Sequence, residues 1–258
     1  MYKPFDLTGK VALITGGNGG IGLGMADALA QAGADVVIWG TNAAKNAAAE
    51  KQLTAHGRRV ASRIVNVADE ADVIAGTQNA LSTMGRLDCV VANAGIGGNS
   101  PFTEMTTELF RKVHAVNEEG VFWTFRETAK HMIDRAKAGD AGGSLVVVAS
   151  TAGIEGAARN SAYGASKGAV MSMARALAVE LARYRVRVNS IAPGWIATEM
   201  TKRSQTNATF TEKVISRVPA RRWGEPRDFG GIAVYLASDA SNYHTGETFV
   251  IDGGYTKF

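Results

Sequence analysis

The 258-residue chain has one cysteine and five prolines, and no apolar run approaches the ~20 residues that span a bilayer. A lone cysteine cannot close an internal disulfide, so the fold must rest on its core. Aromatic residues supply only 7% of the chain, and charged residues 20%, with a net charge of +4. The basic clusters Arg58-Arg59, Arg183/Arg185/Arg187 and Arg221-Arg222 are short and scattered, which reads as solvated surface and not as a nucleic-acid footprint. The opening MYKPFDLTGK has neither the basic start nor the apolar stretch of a secretory signal. The expectation is a cytoplasmic protein with no membrane or nucleic-acid partner. His56, His114, His131 and His244 show no ligand spacing with one another or with Cys89, so no metal site is expected. What is abundant is glycine, thirty residues, within a 46% hydrophobic composition typical of a globular chain.

Short apolar runs alternate with helical stretches along the chain. Val11 to Thr15, Asp35 to Trp39, Val60 to Val65, Leu87 to Ala92, Ser144 to Ser150, Val186 to Ala192 and Phe249 to Asp252 read as strands. They are β-branched and continuous, not alternating, which is the pattern of strands covered on both faces. A single α/β domain over residues 1–258 with a doubly wound parallel sheet follows. Ligands of such sheets sit beyond the carboxyl ends of the strands.

The first run ends in Thr15-Gly16-Gly17-Asn18-Gly19-Gly20-Ile21-Gly22, and a helical stretch, Leu23 to Ala32, follows at once. Unpaired backbone N–H groups at a helix start can hold a pyrophosphate where glycine keeps side chains out of its way. The residues fit Gly-x-Gly-x-x-Gly through Gly17, Gly19 and Gly22, and also Thr-Gly-x-x-x-Gly-x-Gly through Thr15, Gly16, Gly20 and Gly22. Either pattern alone is weak. Further on, Ser161 to Lys167 opens a second helical stretch that runs to about Tyr184, and it places Tyr163 and Lys167 on one face. An ammonium ~5 Å from a phenol, at an effective dielectric of about 20, favours the phenolate by roughly 3 kcal/mol, or about two pKa units. That predicts a Tyr163 poised toward neutral pH, able to exchange a proton with an alcohol or carbonyl.

Taken together with Ala92-Asn93-Ala94-Gly95, Asn117, Ser150 and Pro193-Gly194 leading to Thr198, these motifs resemble those of the short-chain dehydrogenase/reductases along the whole length. The resemblance implies a Rossmann domain and hydride transfer between a nicotinamide cofactor and a secondary alcohol or ketone. It implies that Tyr163 is the general acid/base, Lys167 its partner and a ribose ligand, and Ser150 the holder of the substrate oxygen. By the same resemblance Asn117 binds a water that links Lys167 to solvent. Thr15, Gly16, Asn18, Gly20, Ile21 and Gly22 would cradle the cofactor, with Asn93, Ala94 and Gly95 steadying its pocket. Asn66 and Val67 would lie at the adenine, where the family commonly has an aspartate before the latter position. Pro193, Gly194, Ile196 and Thr198 would meet the nicotinamide. A homotetramer is also implied, and Gly164, Gly168, Ala169 and Ser172 would let a second copy's helix approach closely.

The second strand ends Trp39-Gly40-Thr41-Asn42, without the carboxylate that selects NAD. Gly40, Thr41 and Asn42 are neutral, and Lys45 is the nearest cation. This tip points to NADP(H), with NAD(H) an open alternative, and Gly40→Asp is expected to shift the preference toward NAD(H). Residues 199–222 are expected to form a substrate lid. Val218 to Pro226 looks similar to gluconate and ketogluconate dehydrogenases, so the small-molecule substrate is expected to carry a carboxylate or several hydroxyls, with Arg159 and Trp195 as candidate contacts. A 3-oxoacyl thioester reductase and a non-catalytic cofactor-binding scaffold are the alternatives.

Overall fold

The computed structural model describes residues 3–257; Met1, Tyr2 and Phe258, at the ends of the expected 1–258 domain, lie outside the described residues. All seven apolar runs form strands: β1 Val11–Thr15, β2 Asp35–Gly40, β3 Val60–Ile64, β4 Cys89–Ala92, β5 Gly143–Val148, β6 Val186–Pro193 and β7 Thr248–Ile251. They build one parallel sheet in the order β3-β2-β1-β4-β5-β6-β7. Two ends differ from expectation by two residues, for local reasons, and every other end falls within one residue. The fourth strand starts at Cys89 and not at Leu87, whose N–H goes to His131 Nε2 and whose carbonyl accepts from Arg135 Nη1. The fifth stops at Val148, because Ser150 caps a short 3-10 turn by accepting the Ala152 N–H at 3.1 Å.

The helices are α1 Gly20–Gln31, α2 Ala43–Thr54, α3 Glu70–Met84, α4 Thr107–His114, α5 Gly120–Lys137, α6 Ser161–Leu181, α7 Lys202–Gln205, α8 Ala208–Arg217 and α9 Gly230–Ala237. Period-two alternation sorts each buried strand between two cores. Leu13, Val37, Val90 and Leu145 meet Val73, Phe125 and Val170 of α3, α5 and α6 on one face. Ile14, Ile38, Val91 and Val146 meet Met25, Leu29, Leu53 and Leu236 of α1, α2 and α9 on the other. Each such aliphatic residue contributes roughly 1.5–3 kcal/mol of burial, which is why these strands need no polar face. Cys89 belongs to this packing, and burial pushes its thiol up to about 12.

Strand β1 lies between β2 and β4, so the crossovers leave it in opposite directions and open a crevice beyond its carboxyl end. No helix among the described residues is long and apolar enough to cross a membrane.

Candidate active site

The crevice is built first by the glycine turn. Gly20 has φ +52° and Gly16 φ +64°, a left-handed backbone that favours glycine. At Gly22 a Cβ would stand 2.4 Å from both the Gly16 carbonyl and Asn93 Nδ2, so only glycine fits. Asn93 in turn donates to the carbonyls of Thr15 (3.0 Å) and Gly16 (3.2 Å), while Thr15 Oγ1 accepts the N–H groups of Asn93 and Ala94, both at 3.0 Å. The end of β4 is thereby clamped to the turn after β1. Thr15 and Gly22 thus shape the turn from behind, whereas Gly16, Asn18, Gly20 and Ile21 line the cleft with Asn93, Ala94 and Gly95.

The second wall carries the titratable groups. Ser150, Tyr163 and Lys167 all line the same cleft of about 330 Å³. Ser150 stands just past β5, and Tyr163 and Lys167 occupy the first two turns of α6. Lys167 is buried, its Nζ donates to the Val148 carbonyl at 2.8 Å, and it lies 5.8 Å from the Tyr163 ring centroid. Asn117 is fully buried in a π-helical turn, Ala115–Glu119, between α4 and α5. Such a turn often marks a functional site. Its side chain accepts from Ile96 N–H (2.8 Å) and donates to the Ile96 carbonyl (3.0 Å) and Ser166 Oγ (3.2 Å). Asn117 therefore ties the loop after β4 to α6; with both amide hydrogens used, a water can meet its side chain only at a remaining Oδ1 lone pair.

The expected lowering of the Tyr163 phenol does not hold in this structure. Burial pushes it above its ordinary value, opposed only by the Ser150 hydroxyl. Burial also pulls the Lys167 ammonium down to about 8. The sequence-level figure counted attraction between two groups in a screened medium, but desolvation acts on both and outweighs it.

The remaining rim is formed by Pro193, Gly194, Ile196 and Thr198, followed by Glu199, Met200 and Thr201, which the sequence reading had not singled out individually. Thr198 and Thr201 form a reciprocal cap, and Thr201 Oγ1 donates to the Ile196 carbonyl at 2.6 Å. The Thr-x-x-Thr spacing was the available signal. Trp195, a candidate substrate contact, does not line the cleft. It points away from it, into a cluster with Phe210, Trp223 and Tyr255 at centroid distances of 5.2, 5.9 and 6.5 Å. A bridge between Ile196 and Gly224 closes the neck of the intervening segment, which carries α7 and α8. Arg159 is exposed and outside the cleft lining; its Nε donates to Asn99 Oδ1 at 3.1 Å, and its φ is +66°.

At the tip of β2, Thr41 and Asn42 are exposed, and Asn42 caps α2 by accepting the Lys45 N–H at 2.9 Å. Asn66 is exposed and turns its Oδ1 to the Ala68 N–H, while Val67 packs against Gly120. Gly40 corrects a sequence-level expectation. It is buried, and a Cβ there would stand 2.1 Å from Asn18 Nδ2 and 2.6 Å from Asn46 Oδ1. Gly40→Asp is thus expected to break the Asn18–Asn46 hydrogen bond and destabilise the turn, giving no clean change of cofactor preference. Asn42→Asp keeps the cap, since aspartate and asparagine cap equally well, and adds the carboxylate at an exposed tip. It should lower the NADPH-over-NADH binding preference by about tenfold. Paired titrations with the two cofactors check this.

The cradle fits a dinucleotide on its own geometry. Gly19, the residue before α1, offers no side-chain cap, and a Cβ on it would meet nothing within 4 Å, so the helix start opens onto the cleft. A family profile described as Enoyl-(Acyl carrier protein) reductase matches residues 16–256. A 2-dehydro-3-deoxy-D-gluconate 5-dehydrogenase of Dickeya dadantii is 38% identical over 255 residues, covering 99% of this chain and 98% of its own. A 3-oxoacyl-(acyl-carrier-protein) reductase of Chlamydia pneumoniae is 35% identical over 250 residues, covering 97% and 98%. The crystal structure of a gluconate 5-dehydrogenase from Burkholderia cenocepacia, in complex with NADP and tartrate, superposes with a TM-score of 0.93 at 33% identity, covering 99% and 98%. With its Rossmann sheet and these relatives, the chain belongs to the short-chain dehydrogenase/reductase family.

Proposed function

We propose that the protein is an NADP(H)-dependent oxidoreductase that interconverts a secondary hydroxyl and a ketone on a sugar acid. The observation that carries this reading is the convergence of Ser150, Tyr163 and Lys167 on the cleft that the glycine turn opens. A bound nicotinamide dinucleotide supplies or accepts the hydride. Gly19, Gly20 and Ile21 would hold its pyrophosphate at the start of α1. Asn66 and Val67 would lie at the adenine, and Pro193, Gly194, Ile196 and Thr198 at the nicotinamide. The Tyr163 hydroxyl gives its proton to the carbonyl oxygen in reduction, and in oxidation the Tyr163 phenolate takes the proton of the alcohol at that same atom. Ser150 Oγ donates a hydrogen bond where negative charge develops on the same oxygen. Lys167, next in sequence to the Ser166 that Asn117 holds, places a cation beside the phenolate as it forms.

The sugar-acid substrate is supported by the gluconate relatives and by the tartrate-bound neighbour. A carboxylate on the substrate would meet Arg159, whose Nη atoms make no hydrogen bond among the described residues. Because Arg159 has a left-handed backbone, the clean test is Arg159→Asn, which tolerates that conformation. Its KM should rise about tenfold for a carboxylate substrate and stay unchanged for a neutral ketone of similar size. Equal changes would remove Arg159 from the substrate site. Residues 199–222 would close over this substrate as a lid.

A fluorescence titration with NADPH and NADH, followed by a panel of sugar acids, ketoacids and acyl thioesters, tests the whole reading. Turnover of acyl thioesters alone would make the protein a 3-oxoacyl reductase, and cofactor binding without any turnover would make it a scaffold. A homotetramer is part of the proposal. Gly164 and Gly168 do not serve it, since both pack on the Ala152–Gly153 backbone of their own chain. The exposed Phe110, Phe122 and Val179 on α4, α5 and α6 support it instead. Light scattering that reports a monomer at micromolar concentration would exclude it.

A further inference from the structure

We infer that Lys45 is the residue that distinguishes NADP(H) from NAD(H) in this protein, and that Glu199 is its resident counter-ion, displaced when a 2′-phosphate arrives. The inference rests on the NADP(H) reading above and adds to it the residue that reads the phosphate and the competition at that residue.

Three charged side chains line the cleft among the described residues: Lys167, Lys45 and Glu199. Lys167 is buried on the catalytic wall, where its ammonium is bonded to Val148. Lys45 is therefore the one cation at the cleft's rim. It sits in the first turn of α2, its backbone fixed by the Asn42 cap, and it shares the cleft with Asn18, Gly19 and Gly20 of the pyrophosphate turn. The neighbouring positions Thr41 and Asn42 add neutral hydrogen-bonding groups and no negative charge. In this structure the Lys45 ammonium is paired with Glu199, which lies directly after Thr198 on the opposite rim. The pair joins residues 154 apart in sequence, so it straps α2 to the start of the substrate segment.

The strap is weak by its setting. Lys45 is half exposed and Glu199 more than three-quarters exposed, and ion pairs in water contribute little. Lys202 also helps to hold the Glu199 carboxyl below its ordinary value, without forming an ion pair with it among the described residues. A phosphate monoester carries nearly twice the charge of a carboxylate and three acceptor oxygens, so it takes the ammonium from Glu199. A ribose with free hydroxyls offers no such charge and leaves the strap in place. Glu199 thus acts against 2′-phosphate binding twice, as a competitor for Lys45 and as a like charge at the rim.

The test uses adenosine 2′,5′-bisphosphate and ADP as probes, titrated by calorimetry into the full-length protein and into Lys45→Met, Glu199→Gln and the double variant. In the unmodified protein the bisphosphate binds more tightly than ADP. Lys45→Met should cut bisphosphate affinity about tenfold and leave ADP affinity within about twofold. Glu199→Gln should tighten the bisphosphate severalfold without changing ADP, and most of that gain should vanish in the double variant. A bisphosphate preference that survives Lys45→Met overturns the inference while leaving the NADP(H) reading intact. A Glu199→Gln gain that persists in full without Lys45 overturns the competition. An unmodified protein that binds the two probes equally overturns the NADP(H) reading itself, and with it the role of Lys45.

Discussion

Tyr163→Phe is expected to lower turnover about 10³-fold while changing NADPH affinity less than about twofold. The substitution deletes one oxygen, the atom that exchanges the proton with the substrate, and keeps the ring that packs α6 against the cleft. Burial already holds the Tyr163 phenol above its ordinary value, so the hydroxyl is protonated across the neutral range and serves first as a proton donor to a ketone. Single-turnover kinetics in the reductive direction, alongside a fluorescence titration, separate the two effects. A variant that keeps more than a tenth of the activity would remove the acid/base role. A variant that loses cofactor binding as well would show that the hydroxyl shapes the site and does not only react there.

Lys167→Met is expected to inactivate the protein and yet make it more stable when no cofactor is added. Lys167 is a buried cation with a single hydrogen-bond acceptor among the described residues, the Val148 carbonyl. Burial lowers its pKa from 10.5 to about 8, which corresponds to roughly 3 kcal/mol of destabilisation while the group is charged. Removing the ammonium recovers that cost, less about 1 kcal/mol for the carbonyl left unpaired. The net gain of about 2 kcal/mol corresponds to a Tm rise of roughly 4–8 °C for a chain of this size. The sign with pH follows from linkage. Between pH 8 and 10.5 the unfolded chain holds the Lys167 proton and the folded one does not, so folding stability rises with pH across that window. The advantage of the variant is therefore full below pH 8 and fades as pH rises to 10.5. A fall in Tm at neutral pH, or a difference that stays constant to pH 10.5, would show that the Lys167 charge is compensated inside the fold. The stability given up at Lys167 is of the kind that active sites sacrifice to hold a reactive group dry.

Each part of the fold that was legible has a local cause. The inner runs β1, β2, β4, β5 and β6 are covered on both faces, and both cores take residues from each of them, whereas the edge strands β3 and β7 are only partly buried. The glycine turn was legible because Gly20 and Gly22 answer to backbone geometry, which spacing encodes directly. Tyr163 and Lys167 were legible as a pair because four residues return a helix to the same face. Less legible was anything set by what a residue packs against. Trp195 sits two residues past β6 beside cleft-lining positions, yet its ring turns to Phe210 and Trp223, which arrive from the following segment. Gly164 and Gly168 look like a surface for close helix approach, but the partner they meet is the Ala152–Gly153 turn of their own chain.

By itself, the sequence determined the elements, their parallel arrangement and which residue types stand at the strand ends, since these depend on periodicity, backbone freedom and the short range of helix geometry. Only the tertiary structure decided the signs of the electrostatics and the partners of the charges. Burial reversed the expected shift of Tyr163, Asn46 and Asn18 closed Gly40 to any side chain, and a segment far along the chain brought Glu199 to Lys45. The physical reason is the same in each case: desolvation and steric exclusion depend on every atom within a few ångströms, and those atoms come from parts of the chain that no local pattern can register.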